Sequence, residues 1–426
     1  MYKIKNHLLT SALILLSFIV EAQNIFTYSP YSRYGLGLIP TKGFANTKGM
    51  GGISQAYRNP FQINYLNPAS YTAQDTMSFI LDFGIEVGGT NYKTSSQSAT
   101  DGTGGIHHVA ISFPITKWWG ASLGIVPFSN VGYKIKFYEN DPLILSSIGR
   151  VKYYHSGSGG INQAYVGNAF KPIKDLSLGV NFSYLFGSLN YYNETVFPSS
   201  QSGYSGSSTN SSIVVSDINF SFGAQYTAYL DRKEKTYFIF GATIENKTKL
   251  SGKYKYLAES QMYNYTDTIS FIDGNTRYID YPRNLSLGTS FNYKDKLFTA
   301  IEYSTQDWSK SLILGAKDSL TKSQAFRFGL EYTPNRSDLK SYLKRMSYRV
   351  GGHYEDTYLI FNNHQIKDIG LSVGISFPFR NNTKFNVSFE YGKRGTTSNS
   401  LIQETYGLVN FSFSFYDFWF YKRKYN

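Results

Sequence analysis

Three short stretches carry residue types with a recognised chemistry. His107 and His108 adjoin in "GGIHHVAIS", His155 precedes Ser156 in "YYHSGSGG", and "GTGG" occupies 102–105. Neighbouring imidazoles bind metal, a histidine beside a serine can activate its hydroxyl, and a glycine-rich loop can cradle phosphate. Their spacing argues against all three. Successive strand side chains point to opposite faces, so His107 and His108 are not expected to share a metal. His155 and Ser156 fall in a long glycine-rich loop without a spaced partner. The "GTGG" lacks the lysine and the following helix of a phosphate loop. No catalytic set, metal site or cofactor motif is therefore expected, and the chain does not read as an enzyme. The remaining charges of interest are Asp82 and Glu86, set inside the alternating stretch "MSFILDFGIEV" at 77–87.

The elements that carry those two carboxylates decide what surrounds them. A soluble sheet turns its apolar face to a core and its polar face to water. A membrane barrel inverts this: Phe79, Leu81, Phe83 and Ile85 would face lipid while Asp82 and Glu86 face the lumen. The alternation recurs to the end of the chain, at 77–87, 107–115, 119–137, 161–170, 176–190, 214–230, 236–246, 283–293, 297–304, 325–332, 346–355, 369–379, 384–391 and 406–415. That gives about 14 strands, an even number within the barrel range. The connections sort by parity. Short charged turns such as "TKW", "KPIKD", "DRKEK", "KDK" and "RNNT" alternate with long polar segments at 88–106, 138–160, 191–213, 247–282, 305–324, 356–368 and 392–405. Short turns on one side and long loops on the other mark an outer-membrane barrel with periplasmic turns. The connection "TPNRSDLKSYLKR" departs from this and predicts a short periplasmic helix. Trp118, Trp119, Tyr191, Tyr192, Tyr332 and Trp419 lie at strand ends, where interfacial girdles form.

Composition agrees with export. The 426-residue chain has 17% aromatic residues, 38 glycines and no cysteine. Lys3, Lys5 and His7, the apolar run 8–20 and the small-residue pattern ending at Ala22 read as a signal peptide over 1–22. Without cysteine neither a lipoprotein anchor nor a disulfide framework is expected. The formal charge of +13 is not gathered in a groove-reading motif, so nucleic acid is not an expected partner. The expected organisation is all-β: a signal peptide at 1–22, an N-terminal plug at 23–76, a transmembrane antiparallel barrel at 77–415 and a basic periplasmic tail at 416–426. The plug is inferred because residues 24–76 do not alternate yet are rich in Tyr, Phe, Leu and Ile, unlike a disordered tail.

Within that plug, "GMGG" (Gly49, Met50, Gly51, Gly52) and "NYLNPASY" at 64–71, just before the first strand, resemble the FadL family of outer-membrane transporters for hydrophobic compounds. The resemblance implies a fourteen-stranded monomeric barrel whose hatch carries an Asn-Pro-Ala motif, here Asn67, Pro68 and Ala69. Read on residue types alone, Asn67 to Ala69 suit a structural turn as well as a gate. The wider pattern "YSRYGLG", "GMGG", "NPASY" with the tail "WFYKRKYN" is similar to the Bacteroidota branch of that family, which has PorV-like relatives serving type nine secretion.

Strand three supplies a further mark. Leu123, Ile125, Val131, Tyr133 and Ile135 keep the lipid-facing parity, but Pro127 and Ser129 interrupt it, with Asn130 and Gly132 beside them. Proline inside a sheet marks an edge or a bulge. The FadL resemblance implies an inward kink here that opens the wall laterally. Two functions follow as expectations. One is passive uptake of a fatty-acid-like hydrophobic molecule through plug and gap, which requires a contiguous apolar pocket between hatch and upper lumen. The other is a non-transporting subunit of a larger outer-membrane complex, which requires a sealed lumen and a binding surface. Pro127 tilts the sequence reading toward transport. Expected partners are membrane lipids and either a hydrophobic small molecule or other complex subunits, the latter including periplasmic ones at Lys422, Arg423, Lys424 and the charged turns.

Overall fold

The computed structural model describes residues 27–198, 204–262, 265–379 and 382–418. The expected signal peptide, Trp419 and the basic residues of the tail lie outside them. In chain order the strands are β1 (Ser78–Lys93), β2 (Ser98–Pro114), β3 (Trp119–Tyr138), β4 (Lys152–Ile173), β5 (Leu176–Val196), β6 (Gly206–Asp231) and β7 (Thr236–Glu245). There follow β8 (Thr248–Met262), β9 (Tyr265–Tyr281), β10 (Asn284–Tyr293), β11 (Leu297–Asp307), β12 (Leu312–Ile313), β13 (Ala316–Lys317) and β14 (Lys322–Tyr332). The last are β15 (Ser347–Phe361), β16 (His364–Pro378), β17 (Lys384–Arg394) and β18 (Gln403–Phe418).

Fourteen of these close a ring. From β1 each strand pairs antiparallel with the next through β7, then β7 with β10, β10 with β11, β11 with β14, and on to β18, which returns to β1. All fourteen strands expected from the alternation are present in this ring. Phe83, Ile85, Leu123 and Ile125 stand out of the wall, with Phe83 40% exposed. Serines, asparagines and carboxylates of the opposite parity are buried, so the apolar side is outside. This is the arrangement lipid imposes. A four-residue helix, Tyr342–Arg345, sits in the long connection of the short-turn side.

The hairpin β8–β9 is outside the expected strand set. It extends the sheet above the ring, because β6 is 26 residues long and pairs with β7 below and β8 above. Much of 138–160 and 191–213, read as loop, is likewise strand. Above the lipid belt both faces of a strand are wet. The apolar alternation that reveals a strand in sequence is absent there.

Residues 27–74 form a hatch packed against the inner side of the ring, and most of their side chains are buried or half-buried. The helix α1 (Ala45–Lys48) packs on β16, β17 and β18, and the 3₁₀ turn Pro68–Ala73 packs on β3 to β6. Three buried clusters join this hatch to the wall. The largest, in the upper lumen, gathers Leu36, Phe128, Val131, Tyr281, Trp308 and Tyr358.

Candidate functional site: the hatch and the parting of β2 from β3

Backbone geometry seats the hatch. Gly49 caps α1, and Gly51 adopts φ +69, a left-handed conformation that favours glycine. Gly51 N donates to Ser372 Oγ at 2.8 Å, and a Cβ on Gly51 would lie 2.5 Å from the Gly352 carbonyl oxygen. Gly52 follows, also with positive φ, while Met50 is fully buried against Ile53, Tyr57 and Phe298. The "GMGG" motif is thus a point where hatch backbone meets wall backbone. Asn67 caps the following 3₁₀ turn: its Oδ1 accepts from Ala69 N at 3.1 Å and its Nδ2 donates to Gln55 O at 2.7 Å. Pro68 and Ala69 press on Gly179 of β5, where a Cβ would stand 2.5 Å from the Pro68 carbonyl carbon.

The ladder between β2 and β3 is interrupted. Strands β2 and β3 pair only from Pro114/Gly120 to Val109/Ile125. Val109 also pairs with Phe83, midway along the outward row Phe79 to Val87, so the two strands part at mid-belt. Beyond Ile125, β3 stays with β4 through a bulge between Pro127 and Ser129. The extra residue, Phe128, reverses the parity of everything after it. Val131 and Tyr133 consequently point inward and are buried, and Ile135 packs on the same core. This corrects the lipid-facing reading of those three residues.

The edge of β3 that β2 leaves is occupied by the hatch. Leu38 and Asn130 exchange both backbone hydrogen bonds, at 2.8 and 2.9 Å. Ser29 N donates to Gly132 O at 2.6 Å, and Gly132 N donates to Ser32 Oγ at 3.0 Å. Residues 29–38 therefore act as a strap that satisfies backbone groups which lipid would leave unpaired. Ser129 is fully buried, and its hydroxyl has no hydrogen-bond partner among the described residues.

Charged side chains hold the hatch from the lumen side. Lys48 donates to Glu86 at 2.5 Å and to Asn410 at 3.2 Å, all three being buried. Glu302 accepts from the backbone of Ser54 and Gln55 at 2.8 and 2.9 Å. Ser29 Oγ donates to Glu404 at 2.5 Å, and Arg394 bridges Glu404 and Asp368 at 3.1 and 2.7 Å. Asp82 accepts from Ser414 and lies 2.7 Å from His108 Nε2. The expectation that His107 and His108 point to opposite faces does not hold. A register shift between Gly84 and Ile85 leaves His107 as an extra residue, both rings turn inward, and their Nδ1 atoms lie 2.9 Å apart. Phe44 of the hatch stacks on His108 with centroids 3.6 Å apart. His155 lies in β4 rather than in a loop, 2.6 Å from Asn193. Asp82→Asn removes one charge-assisted acceptor beneath that stack. It is expected to cost about 2 kcal/mol, read as an earlier heat-induced gel shift of the folded barrel.

Between hatch and upper lumen lies a cavity of about 110 Å³, whose lining includes Lys42, Glu245, Glu302, Arg327, Asp368 and Arg394. It is small and charged, unlike the contiguous apolar pocket expected for uptake. The apolar side chains of the upper lumen are packed on one another and on the strap.

A family model described as BamG matches residues 3–426. The chain belongs to the BamG family. Its fold is similar to that of the toluene transporter TodX of P. putida, with a TM-score of 0.61 at 15% identity over 89% of this chain and 99% of that one. It is also similar to the toluene transporter TbuX of Ralstonia pickettii, with 0.58 at 14% identity over 88% and 98%. For a Pseudomonas aeruginosa FadL homologue the values are 0.56 and 13% over 89% and 99%. No curated protein sequence matches the chain. The BamG-family chain thus shares the FadL-type barrel fold.

Lys48, Glu302, Arg394 and Glu404, which hold the hatch of this BamG-family barrel, were not singled out by motif. The signal for Glu302, Arg394 and Glu404 was a charge at inward parity, as Glu302 shows in "FTAIEYS", whereas Lys48 lies in the non-alternating hatch and carried none. Among the strand-end aromatics, Trp118 and Tyr332 are exposed, while Tyr191 packs inward on the upper core.

Proposed function

We propose that this barrel is a bacterial outer-membrane conduit for a hydrophobic small molecule, fatty-acid-like in character, with a lateral exit between β2 and β3 that the strap holds closed. The observation that carries this reading is the mid-belt parting of β2 from β3 at Val109 and Ile125. An interrupted ladder at membrane depth is costly unless something else satisfies the backbone, and a plain wall has no need of it. The parting faces the apolar cluster of Leu36, Phe128 and Val131, so a solute leaving there moves between apolar surroundings without crossing water. The fold shared with toluene transporters supports the same reading.

The test uses the absence of native cysteine. Leu38→Cys with Asn130→Cys joins a hydrogen-bonded antiparallel pair, whose Cα spacing of roughly 5.5 Å suits a disulfide. In proteoliposomes, uptake of an apolar fluorescent probe is expected to fall to background on oxidation and to return on reduction. Uptake that never exceeds that of empty liposomes in the reduced wild type would remove the conduit reading.

A second reading, a closed-lumen subunit of a larger outer-membrane assembly in the manner of PorV-like relatives, is favoured by the filled lumen and its small charged cavity. Purification in mild detergent separates the two: stoichiometric protein company without a bound apolar ligand supports the subunit, and a lone barrel carrying such a ligand supports the conduit.

A further inference from the structure

The cavity between the hatch and the upper lumen is short of positive charge. Each arginine in its lining is divided between two carboxylates: Arg327 lies 3.6 Å from both Glu302 and Glu355, and Arg394 lies 2.7 Å from Asp368 and 3.1 Å from Glu404. Lys42 is taken by Glu245 at 3.3 Å. The shortage falls unevenly. Glu302 accepts two backbone N–H groups of the hatch, Glu404 accepts from Ser29, Glu245 from Tyr281 and Asp368 from Tyr406. Glu355 has no hydrogen-bond donor among the described residues. It shares the inward parity of β15 with Arg349 and His353, it lines the cavity, and its side chain is 33% exposed. Its carboxylate therefore presents unsatisfied acceptor surface to the cavity. Gln55 lines the same space from the hatch and is 5% exposed. Its N–H donates to Glu302, its carbonyl accepts from Asn67 and Gln225, and its Nε2 donates to Ser54, so Oε1 alone is left without a partner.

Two acceptors without donors, among carboxylates that outnumber their cations, call for an occupant that donates hydrogen bonds and carries positive charge. The side chains do not suit a metal ion: among the described residues no three Asp, Glu or His side chains converge as its coordination requires. Leu38, Ile39 and Leu66, all half-buried, add apolar surface to the lining. At about 110 Å³ the cavity has room for roughly four waters, or for an ammonium group on a short hydrocarbon chain. We propose that this cavity binds a small alkyl amine as its ammonium ion, with the Glu355 carboxylate as counter-ion and Gln55 Oε1 as a further acceptor. A carboxylate head would be repelled there, so an acidic solute bound for the β2–β3 exit does not compete for it. The site lies against β11, β14 and β15, across the ring from the parting of β2 and β3. It goes beyond the conduit reading and does not rest on it.

The experiment adds butylammonium, 1-butanol or butyrate to the full-length barrel in detergent and follows the emission of Trp308, which lines the cavity. Butylammonium is expected to change that emission saturably, and the alcohol and the carboxylate to bind at least about tenfold more weakly, because only the ammonium makes charge-assisted hydrogen bonds to Glu355. Trp308→Phe is expected to remove the signal. Glu355→Gln is expected to erase the preference while the folded barrel keeps its gel mobility. Ser304→Phe, which fills the cavity from β11, is expected to block butylammonium without changing any charge. Equal affinity for the three probes overturns the proposal, as does a preference that survives either Glu355→Gln or Ser304→Phe in barrels of native gel mobility. If calcium or magnesium ions give a saturable signal and butylammonium does not, the site takes an inorganic cation and the amine proposal falls. If nothing saturates, the cavity holds water alone and the proposal falls too. Uptake of an apolar probe without amine binding separates that failure from a failure of the conduit reading, which leaves amine binding intact.

Discussion

Gly51→Val is expected to yield a barrel whose strands still pair and whose hatch no longer seats. Two costs coincide at this position. A β-branched residue at φ +69 is strained by about 1–2 kcal/mol, and its Cβ meets the Gly352 carbonyl oxygen at 2.5 Å, an overpacking worth about 1–3 kcal/mol more. The wall strands gain nothing by yielding, since Gly352 is held in ladders to β14 and β16. The hatch gives way instead. Single-channel recording in planar bilayers is expected to show steady ionic conductance where the wild type is quiet, and protease added from the short-turn side is expected to trim residues 27–76. Gly51→Ala keeps the strain with a smaller clash and is expected to fall between the two. A quiet, protease-resistant Gly51→Val barrel would mean that the contact does not hold the hatch.

Arg394→Met is expected to be the most destabilising single change on the lumen side. The guanidinium is the only cation in salt-bridge contact with Glu404 among the described residues, and it also serves Asp368, whose sole other such contact is His353 at 3.6 Å. Removing one partner of a buried pair typically costs about 3–5 kcal/mol, because the charge left behind is uncompensated. Here two carboxylates are left, and one of them accepts from Ser29 of the strap. Urea unfolding in detergent is expected to show a loss of at least about 3 kcal/mol together with earlier exposure of Tyr31. Adding Asp368→Asn and Glu404→Gln is expected to restore most of it. A loss under about 1 kcal/mol would place the network among those that contribute little.

The same physics explains which parts of this protein the sequence discloses. Strand number was legible because lipid and lumen enforce an alternation that Phe83 against Asp82, or Ile301 against Glu302, displays residue by residue. Bulges escaped because one inserted residue flips every side chain after it without changing the composition. At β3 the reversal after Phe128 sent Val131 and Tyr133 inward, although Pro127 had marked the place. At β2 a mark was present and unused: Ile106 breaks the odd parity of Val109, Ile111 and Phe113, which is the trace of His107 bulging. The hatch was legible as apolar chain without alternation. Its anchoring to the wall was not, because Lys48 to Glu86 and Ser29 to Glu404 join residues 38 and 375 positions apart.

Those long separations bear on the order in which the molecule comes together. Ser29 meets Glu404, Tyr31 meets the Ile402 carbonyl, Lys48 meets Asn410, and Asp82 meets Ser414. The earliest-synthesised part of the folded chain therefore finds its partners in the final strand and the residue just before it. Until β18 closes against β1, the hatch has neither a complete enclosure nor its three contacts with Glu404, Ile402 and Asn410, and the contact of Asp82 in β1 with Ser414 is missing too. Ring closure and plugging are in this sense one late, cooperative event, and a nascent barrel arrested before β18 is unsealed as well as unclosed.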